Sequence, residues 1–239
     1  LAGSMTSFAK RFQTYGPDWR TFVSGVLIVL AFPPWNIAPL IWFALVPWLW
    51  VLDRNPSPKA AARQGLWLGI FMSLGGFYWV AYVLSQFAGL PLPISIIGLL
   101  LFSLINQPQF LIFAVLWRWI QHRSRWRAIY LMPALALIYT GIDWALPKLF
   151  VDTFGHSFHG SERMRQVADL GGAHWLTFLA VLTNLSIYRA WRARGDWQPL
   201  AAAAVLIVAS FTYGHFRLME MRAMMAKKHP TARFGVIQA

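Results

Sequence analysis

The sequence contains no cysteine and few charged residues. The lack of cysteine excludes disulfides, thiolate nucleophiles and thiolate metal ligands within these 239 residues. Charged residues make up only 12% of the chain, whereas about a quarter of a soluble domain is charged. Hydrophobic residues make up 58% and the mean hydropathy is +0.50. A soluble fold of this length cannot bury so much apolar surface, so the composition predicts a protein that is dissolved in lipid.

Acidic residues are also scarce, with 8 Asp and Glu against 21 Lys and Arg, for a formal net charge of +13. A nucleic-acid surface would gather its basic residues on one polar face or tail. Here they separate long apolar runs instead. The 14 Trp and 18 Phe fit the same picture, because aromatic side chains favour the boundary between lipid tails and water. We therefore interpret the basic charge as a membrane-topology signal and expect no nucleic-acid partner.

Seven apolar stretches are long enough to be candidate membrane helices. They cover residues 18–32, 37–52, 66–84, 94–120, 128–150, 173–190 and 199–216. The first two are short, and the tight Pro33-Pro34-Trp35-Asn36 link predicts that they form a helical hairpin. Several stretches are apolar all round, which argues against the surface helices of a soluble bundle. The predicted fold class is an all-α membrane protein, a polytopic bundle of about seven transmembrane helices.

The basic residues predict how the bundle is oriented. Lys and Arg in short links stay in the cytoplasm, and basic links alternate here with links that are neutral or lack basic residues. The basic groups are Lys10, Arg11 and Arg20; Arg54, Lys59 and Arg63; Arg118, Arg123, Arg125 and Arg127; and Arg189, Arg192 and Arg194. This alternation places the N terminus in the cytoplasm and the C terminus in the periplasm.

Three regions follow from this pattern. Residues 1–17 are a predicted cytoplasmic segment, in which the four residues before Met5 read as a cloning remnant. Residues 18–216 form the transmembrane domain. Residues 217–239 are predicted to be a periplasmic linker that ends in Phe234-Gly235-Val236-Ile237-Gln238-Ala239, the opening of a buried strand. A strand needs a partner, so we expect that the chain is cut from a longer protein.

The order of several motifs resembles that of the bacterial apolipoprotein N-acyltransferases. The motifs are LAFPPWNIAPLIW at 30–42, GGFYWVAYVL at 75–84, GLPLP at 89–93, MPALALIYTGIDW at 132–144 and the closing FGVIQA. Each motif is weak alone, but together they cover nearly the whole chain in the family's order and spacing.

The resemblance implies a membrane domain of the bacterial inner membrane that leads into a periplasmic nitrilase-like α/β domain, which is absent here. In this family a Glu, Lys and Cys triad of the nitrilase-like domain carries the chemistry. Its Cys takes an acyl chain from a phospholipid donor as a thioester and passes it to the N-terminal diacylglyceryl-cysteine of a lipoprotein acceptor. The resemblance therefore implies no catalytic residue in this chain, no cofactor and no metal.

An aromatic group in the third stretch is one candidate lipid contact. Phe77, Tyr78 and Trp79 are consecutive, and Tyr82 follows one helical turn later. Such a group usually packs or anchors a helix at the interface. The family resemblance adds a second reading, in which it lines the entrance for acyl chains.

Asp143, Lys148 and His156 are the polar candidates. Asp143 is the only acidic residue deep inside an apolar run, where a carboxylate must be neutral, paired or in contact with water. It either ties helices together or forms part of a polar floor beneath the lipid headgroup. His156 could share a metal with His159 and His174, but no further ligand has suitable spacing. The simpler readings are a solvated loop histidine, or one that binds phosphate together with Lys148.

Two other functions stay open at this point. The chain could anchor a separate enzyme, such as a polyprenyl-phosphate glycosyltransferase. It could also be a small transporter, although such proteins normally show internal repeats and broken helices at the membrane midplane, and we find no convincing repeat.

Overall fold

The computed structural model describes residues 16–55 and 57–226, and within them the fold is all helical. The α-helices are α1 Trp19–Ala31, α2 Val46–Arg54, α3 Pro58–Gly76, α4 Trp79–Gln86, α5 Leu92–Ile105, α6 Pro108–Arg123, α7 Ala128–Ala145, α8 Glu162–Gln166, α9 Ala168–Arg192 and α10 Gln198–Ala226. Two 3-10 turns, Ala38–Trp42 and Phe154–Phe158, complete the set. The predicted all-α class is confirmed.

The predicted count of seven membrane spans is not confirmed. Four helical segments of the described chain are long and apolar enough to cross a membrane, one of which, Leu92–Gln121, comprises α5 and most of α6. A fifth is added if α3 and α4 form one span. Helices α3 and α4 are bent by 56°. The predicted hairpin of residues 18–32 and 37–52 does not consist of two continuous helices. Helix α1 has only 13 residues, and the second stretch is divided into a 3-10 turn and the nine-residue α2.

The last helix is longer than the predicted span. Helix α10 runs without a break from Gln198 to Ala226, so the expected boundary after Phe216 is not marked by a helix end. The predicted strand at 234–239 lies outside the described residues.

Helix α9 forms the centre of the bundle. Its stretch from Leu176 to Tyr188 is almost entirely buried, and it packs against α2, α7, α10 and both 3-10 turns. Helix α3 packs between α1 and α6, and it approaches α6 closely at Gly65, where an added Cβ would lie 2.4 Å from the carbonyl oxygen of Phe110. Glycine thus allows two helix backbones to come into contact.

The outer surface of the bundle is apolar. Large hydrophobic side chains stay exposed along α5 and α10, among them Leu100, Leu101, Leu104, Val205 and Val208. Exposed apolar surface on this scale marks an interaction with lipid or protein, and here it covers the helices that qualify as spans. The described chain thus has the surface that a bilayer requires.

The links between helices gather at two ends. At one end, which we call the basic end, Arg192 pairs with Asp53 at 3.2 Å and Arg127 donates a hydrogen bond to Gln198 at 3.4 Å. This end holds the links that the sequence predicts to be cytoplasmic. The opposite end carries the long link between α7 and α9, and the candidate site lies there.

Candidate lipid-binding site

A buried ion pair lies where α7 ends. Pro147 disfavours helical backbone at Leu146, which is extended (φ −77°, ψ 133°), so the chain turns back on itself. As a result Lys148 Nζ donates to Asp143 Oδ1 at 2.6 Å and to the backbone oxygen of Asp152 at 2.6 Å. The side chains of Lys148 and Asp143 are only 4% and 2% exposed. Asp143 is therefore paired, which is one of the three states open to a carboxylate inside an apolar run.

Hydroxyl groups hold the second oxygen of Asp143. Thr153 donates to Asp143 Oδ2 at 2.7 Å, and the hydroxyls of Thr153 and Thr177 are hydrogen-bonded to each other. Thr177 also accepts a hydrogen bond from the backbone N–H of Gly155 at 2.9 Å. These contacts fasten the α7–α8 link to α9.

Gly155 is required by this close approach. A Cβ at this position would lie 2.0 Å from the backbone oxygen of Ala173, a distance that no side chain can occupy. The backbone of α9 is not helical at Gly171 and Gly172, and the link packs directly against the turn that follows this break.

Asp152 connects the ion pair to α6. Its Oδ2 accepts a hydrogen bond from Gln107 Nε2 at 2.5 Å, and Gln107 in turn accepts one from Gln109. Burial raises the pKa of the Asp152 carboxyl, while the Lys148 ammonium and the Gln107 amide oppose this shift. Lys148 lies between two carboxylates, so protonation of Asp152 would leave the group electrically neutral. We call Asp143, Lys148, Asp152, Thr153, Thr177, Gln107 and Gln109 the polar cluster.

Two of the three histidines that the sequence analysis considers, His156 and His174, lie beside the polar cluster. His174 Nε2 is 3.9 Å from Asp143 Oδ2. His156 is exposed at the surface of the same link, and partial desolvation lowers the pKa of its imidazole, while the Asp152 carboxylate opposes that shift. No group of three metal-binding side chains forms within residues 16–55 and 57–226.

The aromatic candidates meet at the same link. Phe77 stacks on Phe150 with ring centres 5.6 Å apart, and Trp79 meets Phe150 edge to face at 5.1 Å. Phe102 of α5 completes this aromatic cluster. Phe150 precedes Asp152 by two residues, so one short segment joins the aromatic and polar clusters.

The four aromatic candidates differ in their surroundings. Phe77 is buried, whereas Tyr78 and Tyr82 are 57% and 63% exposed. They lie at the bend between α3 and α4, where the Gly75-Gly76 pair precedes the break. The structure thus brings Phe77, Trp79, Asp143, Lys148 and His156 to one end of the bundle and leaves the two tyrosines facing outwards.

Sequence reasoning missed several members of the polar cluster. Thr153 and Thr177 are small polar residues next to apolar runs, a weak signal that gives no hint of a shared partner. Gln107 and Gln109 are polar residues inside the fourth apolar stretch, which does not reveal their partners. The contact of Gln107 with Asp152 joins positions 45 residues apart.

Comparisons with known proteins agree with the architecture. The family described as apolipoprotein N-acyltransferase N-terminal domain matches residues 24–186. Proteins named apolipoprotein N-acyltransferase are similar in Geobacter metallireducens (27% identity over 82% of this chain and 39% of the relative) and Bdellovibrio bacteriovorus (26%, 78% and 35%). A further one in Gloeobacter violaceus is 29% identical over 98% of this chain and 46% of its own length.

The chain spans less than half the length of these curated relatives. The family match covers the helices from within α1 to within α9, including both clusters. Together with the apolar spans, the match makes this a multi-pass bacterial membrane protein. The chain belongs to the apolipoprotein N-acyltransferase family, of which it carries the N-terminal membrane domain.

Proposed function

We propose that this chain is the membrane part of a phospholipid:apolipoprotein N-acyltransferase of the bacterial inner membrane. The match to that family's N-terminal domain over residues 24–186 carries the proposal. The acyl donor would be a phospholipid, and the acceptor would be the amino group of the N-terminal diacylglyceryl-cysteine of a lipoprotein.

The covalent steps would take place outside this chain. A thiolate attacks the ester carbonyl of the phospholipid, a lysophospholipid leaves, and a thioester forms; the acceptor amine then attacks the thioester and releases the thiol. These 239 residues contain no cysteine. We place the nucleophile in a nitrilase-like domain of the same protein, and we expect that domain to contact the end of the bundle that carries the polar cluster.

The task of this chain would be to hold that domain at the membrane surface and to admit both lipids from the side. Phe77, Tyr78, Trp79 and Tyr82 would contact acyl chains. Asp143, Lys148 and His156 would form a polar floor at the level of the headgroups. The aromatic and polar clusters meet at Phe150 to Asp152. This junction supports the assignment of the acyl chains to the aromatic residues and of the headgroups to the polar residues, because a lipid needs an apolar and a polar surface side by side.

Acyl transfer from phosphatidylethanolamine to a diacylated lipopeptide tests the proposal. We expect transfer by the product of the full-length gene and none by these 239 residues alone. Transfer by the 239 residues alone would refute the assignment of the chemistry to another domain.

A second measurement tests the lipid contacts in the full-length enzyme. Replacing Tyr78 and Tyr82 by Ala should lower kcat/KM for the phospholipid severalfold. The matched control replaces Val205 and Val208 by Ala, since these side chains are also exposed, at 67% and 65%, but lie on α10. Equal activity of the two double variants would contradict a lipid-contact role for the tyrosines.

A further inference from the structure

A polar cavity lies at the basic end, at the opposite end of the bundle from the polar cluster. It has a volume of about 620 Å³ and is lined by the start of α1, the end of α2 and the second turn of α3. Its charged lining residues are Asp18, Arg20, Arg54 and Arg63. Cavities of this size are typical of small-ligand sites.

Two of the three arginines of this cavity stack on one indole ring. The guanidinium carbon of Arg20 lies 3.8 Å from the ring centre of Trp50, and that of Arg54 lies 3.3 Å from it. Guanidinium groups stack favourably on indole, and a stacked arginine keeps the N–H groups at its edge free to bind an anion. The two cations repel each other across the ring, so the arrangement favours a negative charge beside the edge of the stack.

The cavity contains little negative charge of its own. Asp18 is the only carboxylate among its lining residues, and its Oδ1 is already engaged as the cap of α1, where it accepts from Arg20 N at 2.9 Å. The same oxygen is 3.4 Å from Arg20 Nη1. Three arginines therefore face one carboxylate, and the lining carries a net positive charge.

An apolar strip continues from the cavity along the outside of α1. Trp19 lines the cavity, and Trp19, Phe22 and Val26 are 64%, 52% and 38% exposed. Their spacing of three and four residues places them on one helix face. A ligand with an anionic head in the cavity could thus lay a hydrocarbon chain along this strip.

The geometry points to a binding site for an anionic phospholipid, with its phosphate beside the edge of the Arg20–Trp50–Arg54 stack and an acyl chain along α1. Basic pockets between membrane helices bind anionic headgroups on the cytoplasmic side, the side on which the sequence places this end. Charge argues against the chain's own start as the occupant, because residues 1–15 contain Lys10 and Arg11 and no acidic residue. The inference does not depend on the acyl-transfer proposal.

Native mass spectrometry of the purified chain tests the site without any substitution. The chain is released from detergent in the presence of equal amounts of phosphatidylglycerol and phosphatidylcholine with the same acyl chains. We expect bound phosphatidylglycerol to be retained in preference to phosphatidylcholine. Equal retention of the two lipids overturns the proposal.

Paired variants locate the binding. The Arg20→Gln/Arg54→Gln variant should lose the preference for phosphatidylglycerol. The matched control, Arg125→Gln/Arg194→Gln, removes the same charge from exposed positions at the same end and should keep it. Equal loss in both variants would mean that charge alone attracts the lipid, and would overturn the site.

A third experiment distinguishes the binding of a lipid from the binding of a soluble anion. Thermal stabilisation of the chain by phosphatidylglycerol should exceed that by soluble glycerol phosphate, because only the lipid also covers Trp19, Phe22 and Val26. Equal stabilisation by the soluble anion would contradict the lipid assignment.

Discussion

The buried contact between Lys148 and Asp143 decides how the outer link is held. An ion pair out of contact with water needs both partners, because an isolated charge there has lost its hydration without compensation. The two side chains are almost inaccessible, and Thr153 supplies the second hydrogen bond to Asp143. At the residue scale, each charged side chain of the pair gives the other the interactions that water would give to an exposed charge.

Replacing Lys148 by Met should therefore destabilise the protein strongly. Removal of one partner of a buried pair typically costs about 3–5 kcal/mol, which would appear as a lower melting temperature in detergent. The double variant Asp143→Asn/Lys148→Met, which removes both charges, should be more stable than Lys148→Met alone. A double variant as unstable as the sum of the two single ones would contradict the pairing.

Gly155 offers a second test at this scale. Gly155→Ala should lower the melting temperature, since a misfitting methyl group in a tight site costs about 1–3 kcal/mol and Ala173 leaves no room for it. Gly160→Ala is the control in the same link, because an added Cβ there meets nothing within 4 Å. Equal melting temperatures for the two variants would show that the link does not pack against α9 as described.

At the scale of elements, Asn184 satisfies backbone groups at the interruption of the helical stretch 37–52, which allows this stretch to be buried. The chain between the 3-10 turn Ala38–Trp42 and α2 leaves backbone groups without helical partners. Asn184 of α9 donates to Ile41 O at 2.7 Å and accepts from Leu45 N at 2.7 Å. A membrane protein tolerates irregular backbone only where other groups satisfy it.

Asn184→Leu should remove both of these bonds. A buried polar group left without a partner costs about 1–3 kcal/mol, so we expect a clear fall in the melting temperature. Thr183→Val is the matched control, because the Thr183 hydroxyl bonds only to Leu179 O within α9. A smaller loss for Asn184→Leu than for Thr183→Val would refute the role of Asn184 between elements.

The sequence predicted the positions of helices better than their interruptions. The length of the apolar runs located helical segments in all seven stretches, but it does not reveal a break when both sides of the break are apolar. The division of residues 37–52 and the 56° bend between α3 and α4 were missed for this reason. The Gly75-Gly76 pair was the one local sign of that bend.

The candidate site was predictable only in part. Asp143 stands out because a carboxylate in an apolar run needs a partner, but Lys148 was named as a phosphate contact and not as that partner. The contacts of Thr153 with Thr177 and of Asp152 with Gln107 depend on how distant segments pack. A single sequence carries no direct signal of such contacts.

At the scale of the whole molecule, the account depends on the two ends of the bundle facing opposite sides of a membrane. The basic end carries the exposed arginines of the links and the Arg20–Trp50–Arg54 stack. The other end carries the polar and aromatic clusters. Acyl transfer to an exported lipoprotein requires this second end to face the periplasm.

Cysteine labelling of these 239 residues in cells tests this arrangement most directly, since they contain no cysteine that would react as well. Single variants Gly160→Cys and Arg125→Cys place one thiol at an exposed position of each end. With a membrane-impermeant maleimide, we predict that Gly160→Cys reacts in intact spheroplasts and that Arg125→Cys reacts only after the membrane is permeabilised. Labelling of both positions from the same side, or the reverse order, would contradict the account.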